Sequence, residues 1–168
     1  MLAETDEQLA AAVGKPATHA FVSVGAGSIG QAVTQHYKKK TEGPSTAVAA
    51  TEADTAAGLQ ASLRAGEVVT VPMGNTIMAG MNYGSVSRTA WPVLRYGASA
   101  AVSVTDAEAD AAVRELEGQG ISSGPCGAAN LAALRKVVAE AKSGLGLGEE
   151  SVVVLFSTEG MREYHLAA

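Results

Sequence analysis

The stretch FVSVGAGSIGQAV, residues 21–33, decides how the rest of the chain is read. Its first four residues form an apolar run of strand length. Gly25, Ala26, Gly27 and Ser28 follow as a tight glycine-rich turn, and residues 29–37 continue as a helix. A strand that turns through glycines into a helix presents unpaired backbone N–H groups and the positive end of the helix dipole, and that arrangement binds phosphate. Residues 25–30 also spell G-x-G-x-x-G. Glu52 stands about 20 residues beyond, where the ribose-binding acid of a dinucleotide site is expected. The local pattern therefore admits two ligands, a dinucleotide such as NAD or a simpler phosphate ester.

Composition narrows the frame around that stretch. The chain has 168 residues, 47% of them apolar and 17% charged, enough for one domain with a real core. Aromatics make up only 4%, while alanine and glycine abound, which suits small-residue helices packed closely on a sheet. The formal net charge of −5 argues against a nucleic-acid partner. Lys38, Lys39 and Lys40 form the one basic run, placed to offset a helix dipole at its C-terminal end. Cys126 is the sole cysteine, so neither an intrachain disulfide nor a cysteine zinc cluster can form. No apolar run is long enough for a membrane helix. The first residues are acidic and lack the order of a signal peptide, so a cytoplasmic protein is expected.

Strand-like and helix-like segments alternate along the whole chain. Helices are predicted over residues 5–13, 29–40, 54–65, 75–81, 87–96, 106–117 and 129–141. Thr105 and Glu108 form the Ser/Thr-x-x-Glu capping box of the helix that follows them. Strands are predicted over residues 21–24, 46–50, 68–71, 98–104 and 151–156, the last as the clearest buried strand. Residues 122–128 read as a second glycine turn. This alternation gives a single α/β domain over residues 1–168, with a mainly parallel sheet covered by helices on both faces. In such sheets ligands bind beyond the C-terminal ends of the strands, where residues 25–28, 122–127 and 157–160 lie.

Five stretches carry a family resemblance, in order and in register: THAFVSVGAGSIG at 18–30, NTIMAGMNYG at 75–84 leading to AWPVL at 90–94, AVSVTDAE at 101–108, SGPCGAA at 123–129 and VVLFSTEG at 153–160. Each is weak alone. Together they make the chain resemble the pyridoxal-phosphate (PLP) enzymes of fold type II, the family of tryptophan synthase β chain, threonine synthase and serine dehydratase. Within that family it is most like the diaminopropionate ammonia-lyases. The resemblance implies a Rossmann-like sheet and PLP as cofactor. It also implies that Gly25, Ala26, Gly27 and Ser28 hold the cofactor phosphate through backbone N–H groups and the Ser28 hydroxyl. Ser157 or Thr158 corresponds to the hydroxyl near the pyridine nitrogen, with Ser157 preferred. A neutral hydroxyl there weakens the electron sink and favours elimination at the β-carbon.

The chain departs from the family in two places. Relatives of the ammonia-lyase type carry an acid and a serine where Pro125 and Cys126 stand. The lysine that bonds covalently to PLP, and the Ser/Thr-Gly-Asn loop that holds the substrate carboxylate, belong to the family's N-terminal half and have no counterpart here. The chain is therefore expected to correspond to the C-terminal part of a longer enzyme. No catalytic residue and no metal site is assigned. The expected partners are an amino-acid substrate, a missing N-terminal half or partner chain, and further copies of the same chain. A non-catalytic NAD or nucleotide module is the alternative. His19, His36 and His165 are read as strand-edge, helix-surface and tail residues, and Glu52 and Asp54 as surface capping groups.

Overall fold

The structure, a computed structural model, describes residues 1–39, 45–140 and 144–166. Lys40, Lys142 and most of the predicted loop over 41–45 lie outside the described residues. Among the described residues four strands form one sheet: β1 (His19–Ser23), β2 (Ala47–Ala53), β3 (Ala100–Val104) and β4 (Val153–Phe156). The α-helices of the described residues are α1 (Leu2–Val13), α2 (Ser28–Lys38), α3 (Gly58–Ala65), α4 (Trp91–Gly97), α5 (Asp106–Gly118) and α6 (Pro125–Ala139). The strand order is β3-β2-β1-β4 and every pairing is parallel.

The pleat sorts the core into two layers. Phe21, Ala49 and Val104 face α5 and α6, which contribute Ala109, Val113, Ala129 and Ala133. Ala20, Val22 and Val48 face the opposite side, against Val33 and Tyr37 of α2. Val24 and Ala50 continue that side against Leu59 of α3 and Leu94 of α4. Each large side chain fully buried here contributes roughly 1.5–3 kcal/mol. The alanines let α6 lie close to the sheet. The outermost helix, α1, buries no residue and rests on the body through Leu2 and Leu9, with Asp6 paired to His36 at 2.7 Å.

Chain order creates a switch point. From β1 the chain moves outward through β2 to β3, then returns to lay β4 on the other side of β1. The helix leaving β1 and the helix entering β4 lie on opposite faces. A crevice therefore opens at the C-terminal ends of β1 and β4.

Several local expectations are corrected. Residues 68–71 form no strand: the Val69 N–H donates to Ser62 Oγ at 3.1 Å and the Val71 N–H to the Gly84 carbonyl at 2.8 Å, so neither reaches the sheet. The helix expected over 75–81 shrinks to a single 3₁₀ turn, Ala79–Met81. Thr76 Oγ1 and the Ile77 N–H instead bond the Asp106 carboxylate at 2.5 and 3.0 Å. α4 begins at Trp91 rather than Ser87, and Ser87 Oγ accepts the Ala90 N–H ahead of it at 3.2 Å. The second glycine turn is the first turn of α6, which starts at Pro125. β4 is an edge strand and only Phe156 in it is fully buried.

The capping box forms as expected. The Glu108 N–H donates to Thr105 Oγ1 at 3.2 Å, and the Thr105 N–H to Glu108 Oε2 at 2.7 Å. Thr105→Ala is expected to cost about 1 kcal/mol. Thermal unfolding followed by circular dichroism should show the midpoint falling by about 3 °C.

Candidate functional site

At the switch point lies a cleft of 480 Å³. One wall is the turn after β1. Gly25, Ala26, Gly27 and Ser28 all line it. Among the described residues, none of their backbone N–H groups donates to a protein acceptor. The Ser28 hydroxyl is exposed and caps nothing. Two bonds hold the turn in shape: the Ser87 N–H reaches the Ala26 carbonyl and the Gln31 N–H the Gly27 carbonyl, both at 2.8 Å. Gly27 adopts φ 101°, which side chains rarely tolerate. At Gly25 a Cβ would lie 2.7 Å from the Tyr83 ring, 2.8 Å from the Gly80 carbonyl oxygen and 3.2 Å from Met81 Cα. The turn is thus a glycine cradle of free donors at the head of α2, with the chemistry to hold a phosphate.

The opposite strand supplies a second wall. Thr158 and Glu159, just past β4, line the cleft. Ser157 is not among the lining residues, and its hydroxyl pairs with Ser123 Oγ at 2.8 Å. Glu159 ties this segment to α6. Its backbone carbonyl accepts the Gly124 N–H at 2.9 Å, and its carboxylate accepts the Cys126 N–H at 2.6 Å and Arg162 Nε at 2.9 Å. Arg162 also donates to the Ile77 carbonyl.

Gly80, Met81 and Tyr83 form the third wall, and Ser23, Ile29 and Cys126 complete the lining. Ser23 Oγ donates to the Cys126 carbonyl at 2.5 Å. Asn130, fully buried on α6, donates to Ser23 Oγ at 3.0 Å and to the Phe156 carbonyl at 2.8 Å, so it binds β1, β4 and α6 together beneath the cleft. Burial, with Glu159 close by, pushes the Cys126 thiol up to about 11. It stays a thiol at neutral pH and is a poor nucleophile.

Of the residues that sequence reading assigned to the cofactor, Gly25, Ala26, Gly27, Ser28 and Thr158 line the cleft and the preferred Ser157 does not; Ser23, Tyr83 and Glu159 line it without having been given a role. Ser23 and Glu159 sit at strand C-terminal ends, the one signal that marked them. Glu52 is corrected: it is buried, not a surface cap. Its Oε1 accepts the Leu59 N–H at 2.7 Å and its Oε2 the Gln60 N–H at 2.8 Å, at the start of α3. It does not line the cleft and has no oxygen directed to a ribose there. His19 is likewise buried, between Thr18 Oγ1 at 2.8 Å and the Leu145 carbonyl at 2.7 Å. Among the described residues no lysine lines the cleft.

The family model for pyridoxal-phosphate dependent enzymes matches residues 1–158. The chain belongs to the pyridoxal-phosphate dependent enzyme family. The cofactor of this family is PLP, and the cradle of free N–H groups at residues 25–28 fits its phosphate. Solved structures share the fold. Diaminopropionate ammonia lyase from Escherichia coli is 27% identical with a TM-score of 0.78, over 95% of this chain and 42% of that one. The T.th. threonine deaminase is 22% identical with a TM-score of 0.79, over 95% of this chain and 54% of that one. Maize serine racemase is 23% identical with a TM-score of 0.79, over 95% of this chain and 46% of that one. The chain thus spans about half the length of these structures. No curated protein matches it. Among the described residues, no helix of this family member is long and apolar enough to cross a membrane.

Proposed function

We propose that this chain is the phosphate-holding C-terminal portion of a PLP-dependent ammonia-lyase of the diaminopropionate type. The observation that carries the reading is convergence. Four of the five family-like stretches, dispersed over residues 18–160, supply walls of one cleft. The fifth forms β3 and the cap of α5, whose Asp106 braces the loop behind the third wall.

In this reading the N–H groups of Gly25, Ala26, Gly27 and Ser28, with the Ser28 hydroxyl, bind the cofactor phosphate. Thr158 or Ser157 presents a neutral hydroxyl to the ring nitrogen. Thr158 stands in the lining, while Ser157 would first have to leave Ser123. Bound PLP supplies the electron sink that acidifies the α-proton of an amino acid. The net reaction is loss of that proton and of a β-substituent, after which water hydrolyses the resulting imino acid to a 2-oxo acid and ammonia. The lysine that anchors PLP comes from a segment outside these residues, on the same polypeptide or a partner.

The dinucleotide alternative keeps only the G-x-G-x-x-G loop, because the acid it needs is bound to α3. Titration with PLP and with NAD separates the two readings. PLP is expected to saturate a site from which inorganic phosphate displaces it, and NAD is not. Borohydride reduction of the PLP mixture should label no single lysine stoichiometrically. Saturation by NAD, or one lysine labelled to completion, would overturn the proposal.

A further inference from the structure

We propose that Glu159 sets the charge of the β4 wall and so restricts the cleft to ligands carrying a single phosphate. This rests on the reading of residues 25–28 as the phosphate cradle. Glu159 is the one acidic residue lining the cleft, and no lysine or arginine lines it among the described residues. Its carboxylate cannot swing aside. One oxygen is fixed by the Cys126 N–H at 2.6 Å and the other by Arg162 Nε at 2.9 Å. Arg162 is itself anchored to the Ile77 carbonyl and does not line the cleft.

The cleft is therefore polarised. Free N–H groups and the α2 dipole make the β1 wall attractive to one anion. A fixed carboxylate makes the neighbouring wall repulsive to a second. The cradle and Glu159 line the same 480 Å³ cleft, so a second phosphate bound there lies in the field of that carboxylate. A glycine pattern that would suit a pyrophosphate is thereby turned against pyrophosphates, and a lone phosphate ester on a neutral ring is accepted.

The test uses inorganic phosphate and inorganic pyrophosphate as probes, by calorimetry at low ionic strength. Glu159→Gln keeps an acceptor for the Cys126 N–H and removes the charge. It is expected to tighten pyrophosphate about tenfold and phosphate only about threefold. Arg162→Met leaves the carboxylate uncompensated and is expected to act with the opposite sign, weakening pyrophosphate more than phosphate. Both differences should shrink in 0.5 M salt, where screening extends over only about 4 Å. A purely structural role would weaken both probes in parallel in both variants, and that outcome overturns the proposal. Arg162→Met alone decides should Glu159→Gln fail to fold. Failure of wild type to bind phosphate at all would overturn the cradle reading, a result distinct from binding without discrimination.

Discussion

Gly25→Val is expected to abolish PLP and phosphate binding while leaving most of the fold in place. The new Cβ would press on the Gly80 carbonyl oxygen at 2.8 Å and Met81 Cα at 3.2 Å, both backbone atoms, and on the Tyr83 ring at 2.7 Å. Two of the three clashing atoms are backbone and cannot yield as the tip of a side chain could, so the turn itself has to shift. That movement misdirects the N–H groups of Ala26, Gly27 and Ser28. Losing two hydrogen bonds to a charged phosphate, at about 1.5–3 kcal/mol each, weakens binding by at least roughly 100-fold. Overpacking costs a further 1–3 kcal/mol or so of stability. Calorimetric titration with inorganic phosphate, beside a denaturation curve, separates the two effects. Unchanged phosphate affinity in a folded Gly25→Val protein would place the anion elsewhere.

Glu52→Ala should do the reverse, lowering stability and sparing the cleft. The carboxylate closes the start of α3 by accepting the Leu59 and Gln60 N–H groups, and alanine leaves both donors without a partner. The expected cost is about 4 kcal/mol near pH 5. The pH dependence has a definite sign. Burial pushes the Glu52 carboxyl from its ordinary 4.5 up to about 7, against the pull of its two N–H bonds. A carboxyl raised in the folded state contributes its full stability below about pH 4.5, where folded and unfolded chains both hold the proton. That contribution is lost as pH rises through about 7. The loss amounts to about 3 kcal/mol. Denaturation of the two proteins from pH 4.5 to 8 should therefore show the gap between them narrowing as pH rises. A constant gap would show that Glu52 titrates normally. Phosphate affinity of the folded variant should match wild type, whereas a dinucleotide site would lose its ribose contact.

The part of the fold that sequence reveals is the part set by local rules. Residues 21–33 pass from an apolar run through glycines to helical spacing, and β1, the cradle and α2 appear there. Thr105 and Glu108 signal a cap that needs no distant partner. The failures occur where a distant partner decides. Val69 and Val71 have strand propensity, but a strand needs a neighbour, and their N–H groups find Ser62 and Gly84 instead. The apolar spacing of residues 75–81 suits a helix, yet Asp106, about 30 residues away, captures Thr76 and Ile77. Glu52 looks like a surface charge because sequence shows its charge and hides the two donors that bury it. The candidate site follows the same division. The cradle is local and legible. Glu159 becomes part of the cleft only because α6 and Arg162 pin it there.

The switch point also has a temporal side. Of the four strands β1 is made first and β4 last, and Thr18 and Val152, 134 positions apart in sequence, meet where the two strands begin to pair. Such non-local pairing is slow, because the loop must close before the contact rewards it. The glycine turn, α2 and β2 follow β1 directly in sequence, so bringing them together closes only a short loop. The cleft cannot exist until the final strand has been made and has crossed to the far side of β1. Ligand binding at this point therefore reports that β4 has been made and has docked beside β1, and a chain that stops short of Val153 has every piece of the cradle but no pocket around it.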